Sequence, residues 1–201
     1  MKIQNIVFDV GNVLVKWDPI AVISEVFPEE DPGILLKKIV KSDTWYHLNG
    51  GKITELEAIQ QYHQSLNIPL QQFERFMTVV KESLLPMEGS FELVEKLYQA
   101  NHPLYIITDN TREIESYLRQ KYDFWSRFRG VVNSAHIGVL KPSPIIYRHL
   151  LETYQLIPEE TIFFDDLQAN VEGAIAVKMK AIQFETAAKC EADLRHLKVA
   201  F

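Results

Sequence analysis

Five apolar, β-rich runs of strand length constrain the fold of this chain more than any other feature: IQNIVFD (3–9), LYIIT (104–108), GVVNS (130–134), TIFFD (161–165) and KAIQF (180–184). Their apolar residues are continuous rather than alternating, which suits strands covered on both faces. Between them, apolar residues recur every three or four positions: Phe91, Val94, Leu97 and Tyr98, then Ile146, Leu150, Leu151 and Tyr154, then Val171, Ala174 and Ile175. Each set is the stripe of an amphipathic helix. Strand and helix alternate, so the chain reads as α/β, an open parallel sheet with helices on both faces. The stretch from about 19 to 86 breaks the rhythm with helix-type patterns alone (AVISEVF, ILLKKIV, TELEAIQQYHQSL, LQQFERFMTVV) until Pro86 ends it. This predicts a small all-helical insertion after the first strand, residues 17–86, on a core of residues 1–16 and 87–201, with short hinges near Lys16 and Pro86.

Composition narrows the function. With 201 residues, 47% hydrophobic and 11% aromatic, the chain can bury a full core. Asp9 interrupts the first apolar run and no small-residue cleavage site follows, so neither a secretory leader nor a membrane span is expected. The single Cys190 excludes an internal disulfide and a cysteine zinc site, and the six histidines show no paired ligand spacing. A cytoplasmic setting is the expectation. The formal net charge is −6 without a basic run, which opposes binding to nucleic acid or an anionic membrane. An anionic substrate must therefore be held locally, by a metal or a well-placed cation.

Ligands of open parallel sheets collect outside the carboxyl ends of the strands. Asp9 ends the first strand, Thr108 the second, and Asp165 and Asp166 close TIFFD; the loop GVLKPSP brings Lys141 toward the same edge. Singly, such residues are usually turn, cap or solvated loop residues. Together they suit attack of a carboxylate on phosphorus, provided the repulsion between two anions is offset. Mg²⁺ is a hard, oxygen-seeking ion satisfied by one or two carboxylates, for which Asp9 and Asp166 are the candidates. Thr108 and nearby backbone N–H groups would hold phosphoryl oxygens, and Lys141 would offset remaining charge and keep Asp9 ionised.

Asp9 in FDVGNVL, Thr108 in YIITDN, Lys141 in GVLKP and the acidic pair in IFFDDLQANVEGA resemble the four ordered motifs of the haloacid dehalogenase superfamily. The helical insertion resembles that superfamily's first-position cap. The likeness is closest to a bacterial branch of sugar-phosphate phosphatases that includes the enzyme hydrolysing α-glucose 1-phosphate; TWYHLNGGKIT and MEGSFELVEKLYQANHPLYIIT extend it over essentially the whole chain. The resemblance implies a Rossmann-like core, an aspartyl-phosphate intermediate on Asp9, and Mg²⁺ held by Asp9, the backbone carbonyl of Gly11 and Asp166, with Asp165 in support. It also implies a small phosphorylated metabolite as substrate, with sugar phosphates favoured. Nothing in the sequence distinguishes monomer from dimer.

Two departures from the family pattern stand out. Position 11, where most phosphatases of the superfamily carry a second Asp as general acid, is Gly; Asp109 stands where Asn is common, and its side chain is expected to point away from the phosphate. Displacement of halide needs no protonated leaving group, so a metal-independent 2-haloacid dehalogenase is the rival reading, although those enzymes usually bear Tyr at that position. A catalytically weak binding module is the non-enzymatic alternative. In the insertion, Trp17, Trp45 and Tyr46 offer faces suited to a sugar ring, and His47 is the candidate replacement proton donor.

Overall fold

The computed structural model describes residues 2–201. In chain order it comprises β1 (Asn5–Phe8), helices α1 (Pro19–Val26), α2 (Pro32–Lys38), α3 (Asp43–Asn49), α4 (Glu55–Leu66), α5 (Leu70–Ser83) and α6 (Ser90–Gln99), β2 (Leu104–Thr108), α7 (Arg112–Lys121), β3 (Gly130–Asn133), α8 (Ser134–Ile137), α9 (Pro144–Thr153), β4 (Thr161–Asp165), α10 (Gln168–Ala176), β5 (Lys180–Gln183) and α11 (Ala187–His196). All five strands pair in parallel, in the order β3-β2-β1-β4-β5. Every strand read from the sequence is present: β2 and β4 with the expected bounds, β3 and β5 one residue shorter and β1 three.

The lack of hydropathic alternation has a direct cause. Alternate residues of a strand point to opposite faces, and both faces are covered here. Ile6, Phe8, Leu104, Ile106, Ile162 and Phe164 enter one core with α6, α7 and α11, while Val7, Tyr105, Ile107 and Phe163 enter a second with α9 and α10. Two helices escape the sequence reading because their apolar stripes are thin. Among the residues of α7 only Ile114, Glu115 and Leu118 are buried, and α11 buries Ala187, Cys190 and Leu194.

The segment between β1 and α6 forms five helices whose starts are fixed locally. Asp18, Asp31, Ser42 and Thr54 each accept a backbone N–H of the first turn of the helix they precede, and Thr54 with Glu57 completes a capping box. The helices pack on Ile23, Leu35, Ile39, Tyr62, Phe73 and Phe76. The two connections to the sheet unit run side by side. Lys16 N–H donates to Leu85 O at 2.8 Å and Met87 N–H to Leu14 O at 2.8 Å, and Val15 bridges Pro86. Among the described residues, no helix is long and apolar enough to cross a membrane.

A second set of contacts seats α3 on the sheet unit. Ser134 Oγ donates to Asn49 O at 2.7 Å, and Arg112 to Gly51 O at 3.0 Å. Gly51 has φ +63°, and a Cβ there would lie 2.0 Å from Ala135 O. Both the left-handed backbone and the close approach therefore require glycine. Gly51→Ala is expected to destabilise the protein by about 2 kcal/mol or more, read as a lowered urea midpoint; Gly138→Ala, whose added Cβ meets nothing within 4 Å, controls for the cost of positive φ alone.

Candidate active site

The carboxyl ends of β1, β2 and β4 deliver Asp9, Thr108 and Asp165 to one edge, where the strand order reverses about β1. Lys141 enters from the loop between α8 and α9, which Ser143 and Pro144 end by starting α9. Its ammonium lies 2.7 Å from Asp165 Oδ2 and 2.8 Å from Asp9 Oδ1, with the lysine side chain 2% exposed and that of Asp165 0%. Only the Asp165 contact is a directed hydrogen bond. Asp9 Oδ1 is buried and has no aligned donor.

Asp165 is fully engaged. Its Oδ2 takes Lys141, and its Oδ1 accepts Leu167 N–H and Asn170 Nδ2, each at 2.9 Å. Asp166 accepts Asn12 Nδ2 at 3.1 Å. Asp109 Oδ1 accepts the backbone N–H of Lys141 at 3.0 Å, so its carboxyl is used to hold the lysine loop although the residue still borders the cavity. Thr108 is buried and lines the same cavity. At Gly11 the turn's own bonds run from Asn12 N–H to Val15 O and from Val15 N–H to Val10 O, which leaves the Gly11 carbonyl outside them.

Charge is unbalanced at this floor. Burial pushes the Asp9 carboxyl up to about 7, opposed by Lys141 and reinforced by Asp165. Burial likewise raises Asp109 to about 6, and raises Asp166 against the hydrogen bond from Asn12. For Lys141, burial favours the neutral amine, but Asp9, Asp165 and Asp109 together outweigh it and raise the pKa. Asp9, Asp165 and Asp166 present oxygens within 4.8 Å of one another. An all-oxygen donor set and one ammonium among several carboxylates fit a hard divalent cation. With Asp165 committed to Lys141 and its own helix, Asp9 and Asp166 are the carboxylates left to face such an ion.

The residues open onto a cavity of about 420 Å³ between the sheet edge and the helical insertion. Trp17 and Trp45 both line it, stacked on each other with centroids 5.9 Å apart and planes 7° apart. Tyr46 is exposed and His47 does not line the cavity, so the sequence-based suggestion of His47 as proton donor finds no support in its position. Two asparagines escaped the sequence reading. Asn12, at φ +53°, bonds Asp166 through its amide nitrogen and accepts Trp17 N–H through its oxygen at 2.9 Å. A Gly-Asn pair directly after a strand was the available signal, since Asn adopts left-handed turns readily. Asn170, five residues after Asp165, gave none beyond its helix.

A family model described as haloacid dehalogenase-like hydrolase matches residues 6–184. A sesquiterpene phosphatase of Aspergillus oryzae is 28% identical over 194 residues, covering 95% of this chain and 94% of that protein. Two further relatives are longer, and the chain spans 36% and 18% of their length. Among solved structures, a haloacid dehalogenase family enzyme from Bacteroides thetaiotaomicron in complex with magnesium and inorganic phosphate superposes with a TM-score of 0.77 at 19% identity, covering 92% of this chain and 95% of that one. An L-2-haloacid dehalogenase from Xanthobacter autotrophicus gives 0.65 at 19%, covering 89% and 76%. At these identities the two structures show the fold alone.

The excess charge at the floor is measurable without substrate. Because the folded pKa of Asp9 lies above its unfolded value, the folded protein binds more protons, and this group's contribution to stability falls as pH rises from about 4 through about 7. In metal-free protein at pH 8, Asp9→Asn is therefore expected to raise the thermal midpoint by about 5 °C or more, the equivalent of a few kcal/mol. At pH 5 the gain should be much smaller. Calorimetry with chelator present reads the difference, and Mg²⁺ at pH 8 should stabilise wild type more than the variant.

Proposed function

The chain belongs to the haloacid dehalogenase-like hydrolases, and from that membership and the geometry of its sheet edge we propose that it is a Mg²⁺-dependent phosphomonoesterase with Asp9 as nucleophile. The observation that carries the reading is the convergence of Asp9, 2.8 Å from the buried Lys141 ammonium, with Asp165 and Asp166 at one sheet edge. The Aspergillus oryzae relative, itself a phosphatase, supports the reaction class. Residues 17–86 are taken as a cap on a core of 1–16 and 87–201, and the single, buried Cys190 supports a cytoplasmic setting.

Lys141 favours the ionised form of Asp9 against burial, and Asp165 and Asp109 hold Lys141, one through the ammonium and the other through the backbone. Thr108 and the adjoining backbone N–H groups receive phosphoryl oxygens. Asp9, the Gly11 carbonyl and Asp166 would hold a divalent cation, which when bound would supply Lewis-acid charge offsetting the repulsion between carboxylate and phosphate. An Asp9 oxygen attacks phosphorus, the bond from phosphorus to the alcohol oxygen breaks, and the alcohol leaves after taking a proton from solvent. Water then attacks the phosphorus of the aspartyl phosphate, releasing inorganic phosphate and the free carboxylate.

The dehalogenase reading shares the nucleophile and the fold. The acidic pair Asp165 and Asp166 and the charge excess favour the phosphatase, because displacement of halide requires no cation. The binding-module reading leaves unexplained why nucleophile, lysine and acidic pair converge at one buried point. For the alcohol, the sequence resemblance favours a sugar phosphate, and α-glucose 1-phosphate tests that directly.

Phosphate release from p-nitrophenyl phosphate with Mg²⁺ is expected to stop with chelator and return on adding the ion, and Asp9→Asn should lower it by at least about a thousandfold. Chelator-insensitive halide release from a 2-haloacid would reverse the assignment. A second expectation follows from Gly11, where an added Cβ meets nothing closer than Trp17 Cβ at 3.8 Å. Gly11→Asp therefore has room for a general acid and should raise kcat on alkyl phosphates by about a hundredfold while changing p-nitrophenyl phosphate little.

A further inference from the structure

The cavity is chemically two-sided. Its polar groups sit at the sheet edge, whereas the insertion contributes Trp17, Leu36, Val40, Trp45, Val80 and Leu84, with Lys41 and Asn49 as its polar exceptions. Trp45, Val80 and Leu84 are buried in the insertion's core, but Leu36 and Val40 are not simply core. In α2 and the turn after it, Leu35 and Ile39 are 3% and 0% exposed and fill the helical core, while Leu36 and Val40, each one residue further on, are half-buried and line the cavity. One residue turns a helix by about 100°, so the segment carries a second apolar strip beside the one that packs. From α5, Val80 and Leu84, four residues apart, join the same wall. The Trp17–Trp45 stack completes it.

Resting on the phosphomonoesterase reading, we propose that the alcohol of the substrate is an apolar chain or ring, and that Leu36 and Val40 determine this specificity. A phosphate seated at Asp9 and Lys141 places the rest of its ester against that wall. A sugar would bring several hydroxyls there, and Lys41 and Asn49 are too few to pair them; a buried hydroxyl without a partner costs about tenfold or more in affinity. A methylene leaving water for the wall gains about fourfold. The cavity, about 420 Å³, falls within the range of small-ligand pockets, roughly 300–1,000 Å³.

The test is a chain-length series with the Mg²⁺-loaded protein: ethyl, butyl, hexyl and octyl phosphate, with α-glucose 1-phosphate and glucose 6-phosphate as polar comparators and p-nitrophenyl phosphate as reference. We expect kcat/KM to rise by about threefold to fourfold per methylene until the cavity is full, carried by falling KM at nearly constant kcat, as uniform binding energy requires. The pair Leu36→Asn and Val40→Asn should flatten that slope; the wild-type series decides the matter even where the variants fold poorly. A flat or falling series, or a glucose phosphate hydrolysed more efficiently than octyl phosphate, overturns the apolar assignment while leaving a phosphatase. No release from any ester, p-nitrophenyl phosphate included, overturns the underlying reaction and this assignment with it.

Discussion

The active-site edge depends on one buried ammonium. Lys141 stands between Asp9 and Asp165, and its backbone N–H is held by Asp109, so four segments distant in sequence meet at one side chain. At an effective dielectric of about 20, two unit charges about 3 Å apart attract by roughly 5 kcal/mol. Burying an ion costs several kcal/mol. Two such contacts therefore offset the burial of the lysine but leave the carboxylates in excess; burial first, and the Asp165 charge after it, displaces Asp9, Asp109 and Asp166 toward the protonated form. The same arithmetic separates the acidic pair. Asp165 supports the lysine with every oxygen used, whereas Asp166 is held by one asparagine and faces the cavity.

Asn12 carries that order into the helical insertion. Its two amide atoms join Asp166 to the backbone of Trp17, and Trp17 stacks on Trp45 of α3. Helix α3 is then fixed from behind, through Ser134 on Asn49 and the close approach of Gly51 to Ala135. The apolar wall is thus positioned relative to the carboxylates by bonds at both ends of the cavity. The paired connections at Val15–Lys16 and Leu85–Met87 keep the two crossings together, so displacement of the insertion must work against hydrogen bonds as well as packing.

Much of this was legible in the sequence because the sheet is buried on both faces. Unbroken apolar runs ending in Asp9, Thr108 and Asp165 gave the strands and, through the rule for parallel sheets, the edge at which ligands collect. Lys141 was legible only as a member of an ordered set; a lysine between glycine and proline residues carries no signal of its own burial. Asn12 was hidden for a different reason, since short polar residues after strands are common turn residues, and Asn170 because a polar residue within a helix is commonplace. The role considered for His47 failed on helix geometry. Trp45 and Asn49 of α3, four apart, both line the cavity, and a residue two positions along a helix from Trp45 points away from that face. The apolar wall could not be separated from core because a helical stripe has the same spacing whether it meets another helix or an empty volume.

The two sides of the cavity also act on each other. An apolar wall that excludes water strengthens every electrostatic interaction at the floor, attraction and repulsion alike. Asp9, Asp109, Asp165 and Asp166 already surround a single ammonium there, and a carboxyl at position 11 would be a fifth. Beside Leu36, Val40 and the tryptophan pair, burial would push such a carboxyl toward its neutral form, the state in which a general acid donates. Glycine at position 11 leaves that proton donor out, and the floor keeps four carboxylates around one lysine. In the proposed reaction the two sides divide the ester between them, the leaving alcohol meeting the apolar wall and the phosphate the charged floor.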